Sequence, residues 1–280
     1  MKLMVRGTEF NLSTPQVMGI LNVTPDSFSD GGTHNSLNDA VDHAAKLIAE
    51  GASIIDIGGE STRPGASDVS IDEELQRVVP VVEAIRQRFD VWISVDTSKA
   101  QVITESANVG ASIINDIRSL QAPGALEAAA KTGLPVCIMH MQGDPKTMQQ
   151  SPHYENVMMD VERFLQENIQ RCVDAGIEKN QIILDPGFGF GKNLAHNYQL
   201  LAHLSELHHF GLPILAGMSR KSMVGQLLNV PPKERVAGSV ACAVIAAMQG
   251  AQIIRVHDVK ETVDAMKVVQ ATLSAKENNE

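Results

Sequence analysis

Residues 252–258 read QIIRVHD. Two isoleucines and a valine form a run of the buried-strand type, and the charged and polar residues gather at its C-terminal end. Side chains alternate along a strand, so Arg255 and His257 share one face while Ile254 and Val256 share the other. Seven earlier runs have the same character: 17–23 (VMGILNV), 53–59 (SIIDIGG), 91–97 (VWISVDT), 112–118 (SIINDIR), 135–141 (PVCIMHM), 181–187 (QIILDPG) and 213–219 (PILAGMS). Longer helical patterns fill the intervals. Eight strands in strict alternation with helices predict an α/β chain folded as a (β/α)8 TIM barrel. An open, doubly wound sheet is the competing arrangement. The strand ends favour the barrel. Asn22, Asp96, Asn115, Asp185 and Arg255 lie at or near them, with Arg63 and Lys221 in the loops beyond. A barrel collects these residues in one mouth, whereas an open sheet would spread them along an edge.

The helical intervals carry end signals. Ser36 is expected to cap a helix reaching Glu50, with Gly51 as its stop. Ser70 and Glu73 form a capping box for a helix reaching about Arg88, which Pro80 is expected to kink or divide. Further helices are predicted near 99–109, 124–131, 154–175, 197–208, 233–248 and 259–274. The first fifteen residues read as a β-hairpin turning at Arg6-Gly7-Thr8.

Composition narrows the class of function. The chain has 280 residues, 44% hydrophobic and 20% charged, which suits a soluble globular protein of the size of one barrel. It has no apolar run of about 18 residues, so no membrane span is expected. The segment MKLMVRGTEFNLS lacks the apolar core of a secretory signal. Cys137, Cys172 and Cys242 sit in apolar segments without C-x-x-C spacing, which suggests reduced core thiols in a cytoplasmic protein. A net charge of −10 argues against nucleic acid as the main partner. An anionic substrate would need a local group of basic residues.

Residues 185–193, DPGFGFGKN, invite a phosphate-loop reading. They fail it, because Pro186 stands where the first glycine is needed and has no N–H to donate, and Asn193 replaces the Ser or Thr. The dinucleotide spacing also fails. Arg63, Arg255 and His257 are better placed to hold a diphosphate through charge-assisted bonds. Asn22 offers a neutral oxygen suited to Mg²⁺. The other half of the mouth holds Asp96, Asn115, Asp185 and Lys221, a set able to read a flat heterocycle bearing both donors and acceptors. Met139 and Phe190 could pack on its faces, core packing being the alternative for both. His140 points away from the mouth by alternation and reads as structural. Asp56 and Glu60 are polar in or beside the second strand, with no role to assign from the sequence.

The motifs ILNVTPDSFSDGG (20–32), IIDIGGESTRPGA (54–66), SVDTSK (94–99), IINDI (113–117), LDPGFGFGK (184–192), GMSRKS (217–222) and RVHDV (255–259) closely resemble the dihydropteroate synthases of the bacterial single-function type. They occur in the right order and span essentially the whole chain. The resemblance implies one pterin-binding TIM-barrel domain over 1–280. It also implies the condensation of 6-hydroxymethyl-7,8-dihydropterin diphosphate with p-aminobenzoate, giving 7,8-dihydropteroate and diphosphate through a cation-like centre. By matching motifs, Asp96, Asn115, Met139, Asp185, Phe190, Gly217 and Lys221 would surround the pterin. Asn22, Thr62, Arg63, Arg255 and His257 would hold the diphosphate, with Asn22 on Mg²⁺. Phe28, Pro64, Phe190, Ser219 and Lys221 would surround p-aminobenzoate, where sulfonamides would compete. Asp30 and Arg63, on two mobile loops, would join Asp96, Asp185 and Lys221 at the reacting centre. A homodimer through barrel-face helices is implied as well. A methyltetrahydrofolate-dependent methyltransferase would share the pterin residues but not need the basic corner. A non-catalytic pterin-binding paralogue should have lost the Arg63 loop or the RVH corner, and both are present.

Overall fold

A computed structural model describes residues 1–24, 33–61, 68–143, 148 and 152–277. Ten strands and nine α-helices are assigned among them. β1 (Lys2–Val5) and β2 (Thr8–Asn11) form the N-terminal antiparallel hairpin. Then β3 (Gln16–Asn22), β4 (Ile54–Gly58), β5 (Trp92–Asp96), β6 (Ile113–Asp116), β7 (Val136–Met139), β8 (Ile182–Asp185), β9 (Leu215–Ala216) and β10 (Ile253–Val256) alternate with helices. Every neighbouring pair among these eight is parallel, in the order β8-β7-β6-β5-β4-β3-β10-β9. A parallel bridge from Leu184 to Ile214 joins the two ends of that order, closing the barrel. The (β/α)8 prediction holds. Among the described residues no helix is long and apolar enough to cross a membrane.

The helices are α1 (Thr33–Ala49), α2 (Ile71–Arg88), α3 (Ala100–Asn108), α4 (Ala125–Thr132), α5 (Val157–Asp174), α6 (Leu194–Ala202), α7 (Ser222–Leu228), α8 (Val236–Met248) and α9 (Val259–Glu277). Several boundaries differ from the sequence reading. α1 begins at Thr33, three residues before Ser36, so Ser36 is not its cap. Gly51 does follow as the stop, at φ +105°. The Ser70–Glu73 capping box is present, and α2 is assigned unbroken through Pro80. Pro80 is exposed, so the carbonyl that lacks its N–H faces solvent. α5 starts at Val157, capped by Asn156, because Tyr154 is drawn away to donate to Gly191 O at 2.7 Å. The expected 197–208 helix is instead α6, capped by Asn193, followed by a 3₁₀ segment from Leu204 to Phe210. The short helix α7 has no counterpart in the sequence reading.

Alternation divides the apolar residues into two bodies. Strand side chains such as Ile55, Ile57, Val95 and Ile138 pack outward against the helices in the larger cluster. Met18, Ile54, Ile113, Cys137, Ile183, Leu215 and Ile253 form a second cluster inside the barrel, with Trp92 packed against it. The hairpin supplies Leu3, Phe10 and Leu12 to this inner cluster, and the rings of Phe10 and Trp92 lie 4.5 Å apart. Gln181 bonds the hairpin backbone at Met4 from just before β8. The hairpin thus plugs the N-terminal end of the barrel and leaves the other end to chemistry.

Candidate active site

Two residues beyond the inner apolar cluster, the same face of each strand changes character. Ile20, Asp56, Ser94, Asn115, Met139, Asp185, Gly217 and Arg255 occupy that level by alternation. Asn22, Gly58 and Asp96 follow one step higher, in register across β3, β4 and β5. The polar strand-end residues named from sequence therefore share one parity and one mouth.

Arg255 is the hub of this floor. Its Nε donates to Asp56 Oδ2 at 2.6 Å, and its Nη2 donates to Asp96 Oδ2 at 3.0 Å. Asn115 reaches the same Asp56 carboxylate through Nδ2, at 3.3 and 3.4 Å. Arg255 therefore does not stand free at a phosphate corner. Only its Nη1 makes no hydrogen bond among the described residues. Burial would lower the Arg255 guanidinium, but Asp56 and Asp96, with help from Asp185, more than offset this and hold it above its ordinary range. Asp96 is pushed up to about 7, first by burial, against the pull of Arg255 and with Asp56 adding to the rise. The direction follows from burial; on the same floor Asp56, Asp96 and Asp185 also outnumber Arg255 and Lys221 by one carboxylate.

The loop after β8 starts from Asp185 and carries Phe190. Asp185 Oδ1 accepts the N–H of Gly187 at 2.7 Å, which fixes its rotamer. Burial raises the Asp185 carboxyl, while Lys221 and the Gly187 bond oppose the rise. Gly187 and Gly191 have φ of +72° and +63°, and a Cβ on them would fall 1.8 Å from His140 O and 2.5 Å from Gln142 O. Only glycine permits that approach. Phe190 is half-buried at the rim, with Lys221 Nζ 4.7 Å from its ring centre. Lys221 also donates to Phe188 O at 2.5 Å, and burial lowers it to about 8 despite Asp185. Gly217 leaves open floor between Arg255 and Lys221, since a Cβ there would lie 3.6 Å from Arg255 Cβ and 3.9 Å from Lys221 Nζ. Met139 is 2% exposed and lines a cavity of about 350 Å³ with Ile117, Arg118, Gln121 and Phe164.

The opposite rim is tied together by side chains. Ser219 Oγ accepts the backbone N–H of His257 at 3.1 Å and lies the same distance from its Nδ1. Arg220 clasps Asp258 through Nε at 2.9 Å and through Nη2 at 2.5 Å. Near the start of the loop after β4, Lys99 bridges Glu60 and the fully buried Glu74. Asn22 Oδ1 stands beside Gly58 and Asp96, 3.8 Å from where a Gly58 Cβ would lie. Among the described residues no three His, Cys, Asp or Glu side chains group as a metal cage. One neutral oxygen at an open rim fits an Mg²⁺ ion that arrives with phosphate oxygens and water, not one held by the chain alone.

The structure thus brings together Asn22, Asp96, Asn115, Met139, Asp185, Phe190, Gly217, Ser219, Lys221, Arg255 and His257. Phe28, Asp30, Thr62, Arg63 and Pro64 lie outside the described residues. Two residues gain roles the sequence did not give them. Asp56 orients both Arg255 and Asn115, and its inward parity two residues after Ile54 was the available signal. Lys192 is 3% exposed and turned into its own loop, 2.9 Å from His140 Nδ1. His140 is the satisfied structural histidine that alternation suggested.

Residues 18–257 match the family model described as pterin binding enzyme. The chain is 74% identical over 278 residues to the dihydropteroate synthase of Escherichia coli strain K12, covering 99% of each. The crystal structure of the Yersinia pestis dihydropteroate synthase with a sulfonamide drug complex superposes with a TM-score of 0.94. It is 76% identical, and the match covers 98% of this chain and all of that one. The Xanthomonas albilineans enzyme, solved with 4-aminobenzoic acid, is 50% identical with a TM-score of 0.92, covering 97% and 98%. With motifs, barrel and mouth in agreement, the chain belongs to the pterin binding enzymes and, within them, to the dihydropteroate synthases.

Proposed function

We infer that the mouth of the barrel joins 6-hydroxymethyl-7,8-dihydropterin diphosphate to p-aminobenzoate, giving 7,8-dihydropteroate and diphosphate on the route to folate. The family supports this transferase activity over the methyltransferase alternative. The observation that carries the mechanism is the floor of Asp56, Asp96, Asn115, Asp185, Lys221 and Arg255, which holds one more carboxylate than cation.

In this reading Asp96, Asn115, Asp185 and Lys221 take the polar edge of the pterin, and Met139, Phe190 and Gly217 border its ring. Asp185 has one oxygen committed to Gly187 and one to offer to the ring N–H groups. The C–O bond to diphosphate breaks with its electron pair leaving on oxygen. The methylene becomes a cation conjugated with the ring, and the fixed excess of carboxylate stabilises it without reorganisation. The neutral arylamine then forms the C–N bond, and its proton passes to solvent. Orientation suffices for this step. Ser219, Lys221 and Phe190, with Phe28 and Pro64, form the p-aminobenzoate side, where sulfonamides would compete. Arg255 through Nη1 and His257, with Thr62 and Arg63, hold the diphosphate; Asp30 approaches the reacting centre. Asn22 would hold Mg²⁺ through Oδ1; when bound, the ion neutralises charge on the departing diphosphate. Family members act without a tightly bound cofactor.

The barrel surface supports self-association. α8, VAGSVACAVIAAM, is apolar on nearly every face, and Leu227, Leu228, Ile245, Met248 and Val268 on α7, α8 and α9 are exposed. A homodimer covering these helices, in the cytoplasm, completes the reading. The deciding experiment is an assay with the pterin diphosphate, p-aminobenzoate and Mg²⁺. Diphosphate release should depend on the amine; release at the same rate without it would overturn the transferase reading.

A further inference from the structure

Lys192 has no place in the reaction above and is almost completely buried, and burial lowers its ammonium to about 7 against the pull of Asp185. Burying an ammonium is costly unless its donors are all used. Here they are. Nζ donates to Gly187 O at 2.8 Å and to Phe190 O at 3.1 Å, and it lies 2.9 Å from His140 Nδ1. The three N–H groups of the ammonium meet these three acceptors, with His140 O longer at 3.5 Å, which places the imidazole proton on Nε2. His140 comes from the end of β7, so the lysine sews the loop after β8 to the neighbouring strand.

The two carbonyls it holds frame the residues that face the substrate. Gly187 is the residue whose N–H fixes Asp185 Oδ1, and Phe190 is the rim aromatic under Lys221. The loop can wrap the ammonium because Gly187 and Gly191 bring its backbone against residues 140–142. Asn197 ties the same loop from behind, accepting from Gly189 N and donating to Lys192 O. Tyr154 holds Gly191 O. Of these ties, only Lys192 grips the carbonyls of both Gly187 and Phe190.

We propose that Lys192 is a positioning residue for the pterin site. Its buried ammonium, held by His140, sets the 185–191 loop so that Asp185 and Phe190 meet the heterocycle together. The inference rests on the pterin reading of the mouth. It also accounts for a neutral His140, which burial and then the lysine hold down to about 2.

The test is calorimetry with 6-hydroxymethylpterin on the full chain, beside thermal unfolding and steady-state kinetics. Wild type that fails to bind would overturn the function itself. Where wild type binds, Lys192→Met should weaken the pterin by about tenfold or more, as expected of a misplaced substrate edge. The KM for p-aminobenzoate should move less than the pterin affinity, because of Ser219, Lys221 and Phe190 on that side this lysine bonds only Phe190. Lys192→Gln, which keeps two donors for the two carbonyls, should recover part of the affinity. His140→Leu should mimic the Met variant in weaker form, and it carries the test if Lys192→Met does not fold. Variants that lose only melting temperature, with pterin affinity within about twofold of wild type, would reduce Lys192 to a folding residue and overturn the proposal.

Discussion

The two levels inside the barrel are built on the same strands two residues apart, yet they follow opposite rules. The lower level of Met18, Ile54, Ile113, Cys137, Ile183, Leu215 and Ile253 is dry and closed by the hairpin. The upper level places Asp56, Asn115, Asp185 and Arg255 on the same inward face. The lower level satisfies itself by packing. The upper one carries three carboxylates to two cations, an excess met by a proton on Asp96 below about pH 7 or by a ligand. The comparison teaches that stability and chemistry are separated along each strand by one pleat repeat, about 7 Å. Substitutions on either side should therefore fail in different ways.

Arg255→Ala should break the contrast most severely, because Arg255 serves both ends of it. Its removal leaves Asp56 and Asp96 facing one another without their shared cation. Breaking such a pair typically costs about 3–5 kcal/mol, measurable by urea unfolding. The folded fraction should also lose far more affinity for the pterin diphosphate than for bare hydroxymethylpterin. Stability within about 1 kcal/mol of wild type, with equal losses for both ligands, would mean that the salt-bridged hub has no energetic weight.

Neighbouring positions on β8 sharpen the same point with smaller effects. Ile183→Ala in the lower level should lose about 2–5 kcal/mol of stability through the cavity it leaves while pterin affinity stays nearly unchanged. Asp185→Asn, two residues on, should do the reverse. It replaces the one charged oxygen left for the ring N–H groups by an amide, so pterin affinity should fall about a hundredfold. Its unfolding midpoint should hold or rise, since one of three crowded carboxylates is neutralised. If both variants showed the same balance of losses, the two levels would not be separable.

Much of this organisation was legible in the sequence. The strand runs, their alternation with helices and the gathering of Asn22, Asp96, Asn115, Asp185 and Arg255 at strand ends can be read from the sequence. The partners of those residues cannot. Asp56 meets Arg255 across 199 positions of sequence, a contact created only when β10 closes beside β3. Lys192 resembled a phosphate lysine because a Gly-Lys pair says nothing about which way the side chain turns. Its partners are Gly187 O and Phe190 O in its own loop and His140 just after β7. The run 213–219 keeps only Leu215–Ala216 as strand, and the backbone then turns, with Lys221 N bonding Met218 O at 3.2 Å. α7 escaped notice because seven residues with Gly225 in the middle carry too weak a periodic signal.

The smallest expected effect concerns pH, and it tests whether the upper level is truly waiting for a ligand. Asp96 is raised from an ordinary 3.8 to about 7, so between those values the folded chain holds a proton that the unfolded chain has released. The stability tied to that proton is fully present below pH 3.8 and fades as pH rises through 7. A pterin that donates N–H groups to Asp96 needs the carboxylate. Binding below pH 7 must then expel the proton, and affinity should fall by about tenfold for each pH unit below that point. On the alkaline side Lys221, lowered to about 8, begins to lose its charge. Affinity should thus peak between the two. Calorimetry at pH 6 in buffers of different ionisation enthalpy should register proton release on binding, and Asp96→Asn should abolish both the release and the acid limb. An affinity that stays flat from pH 8 to 5.5 would show that Asp96 is already ionised beside Arg255, with no proton for the pterin to displace.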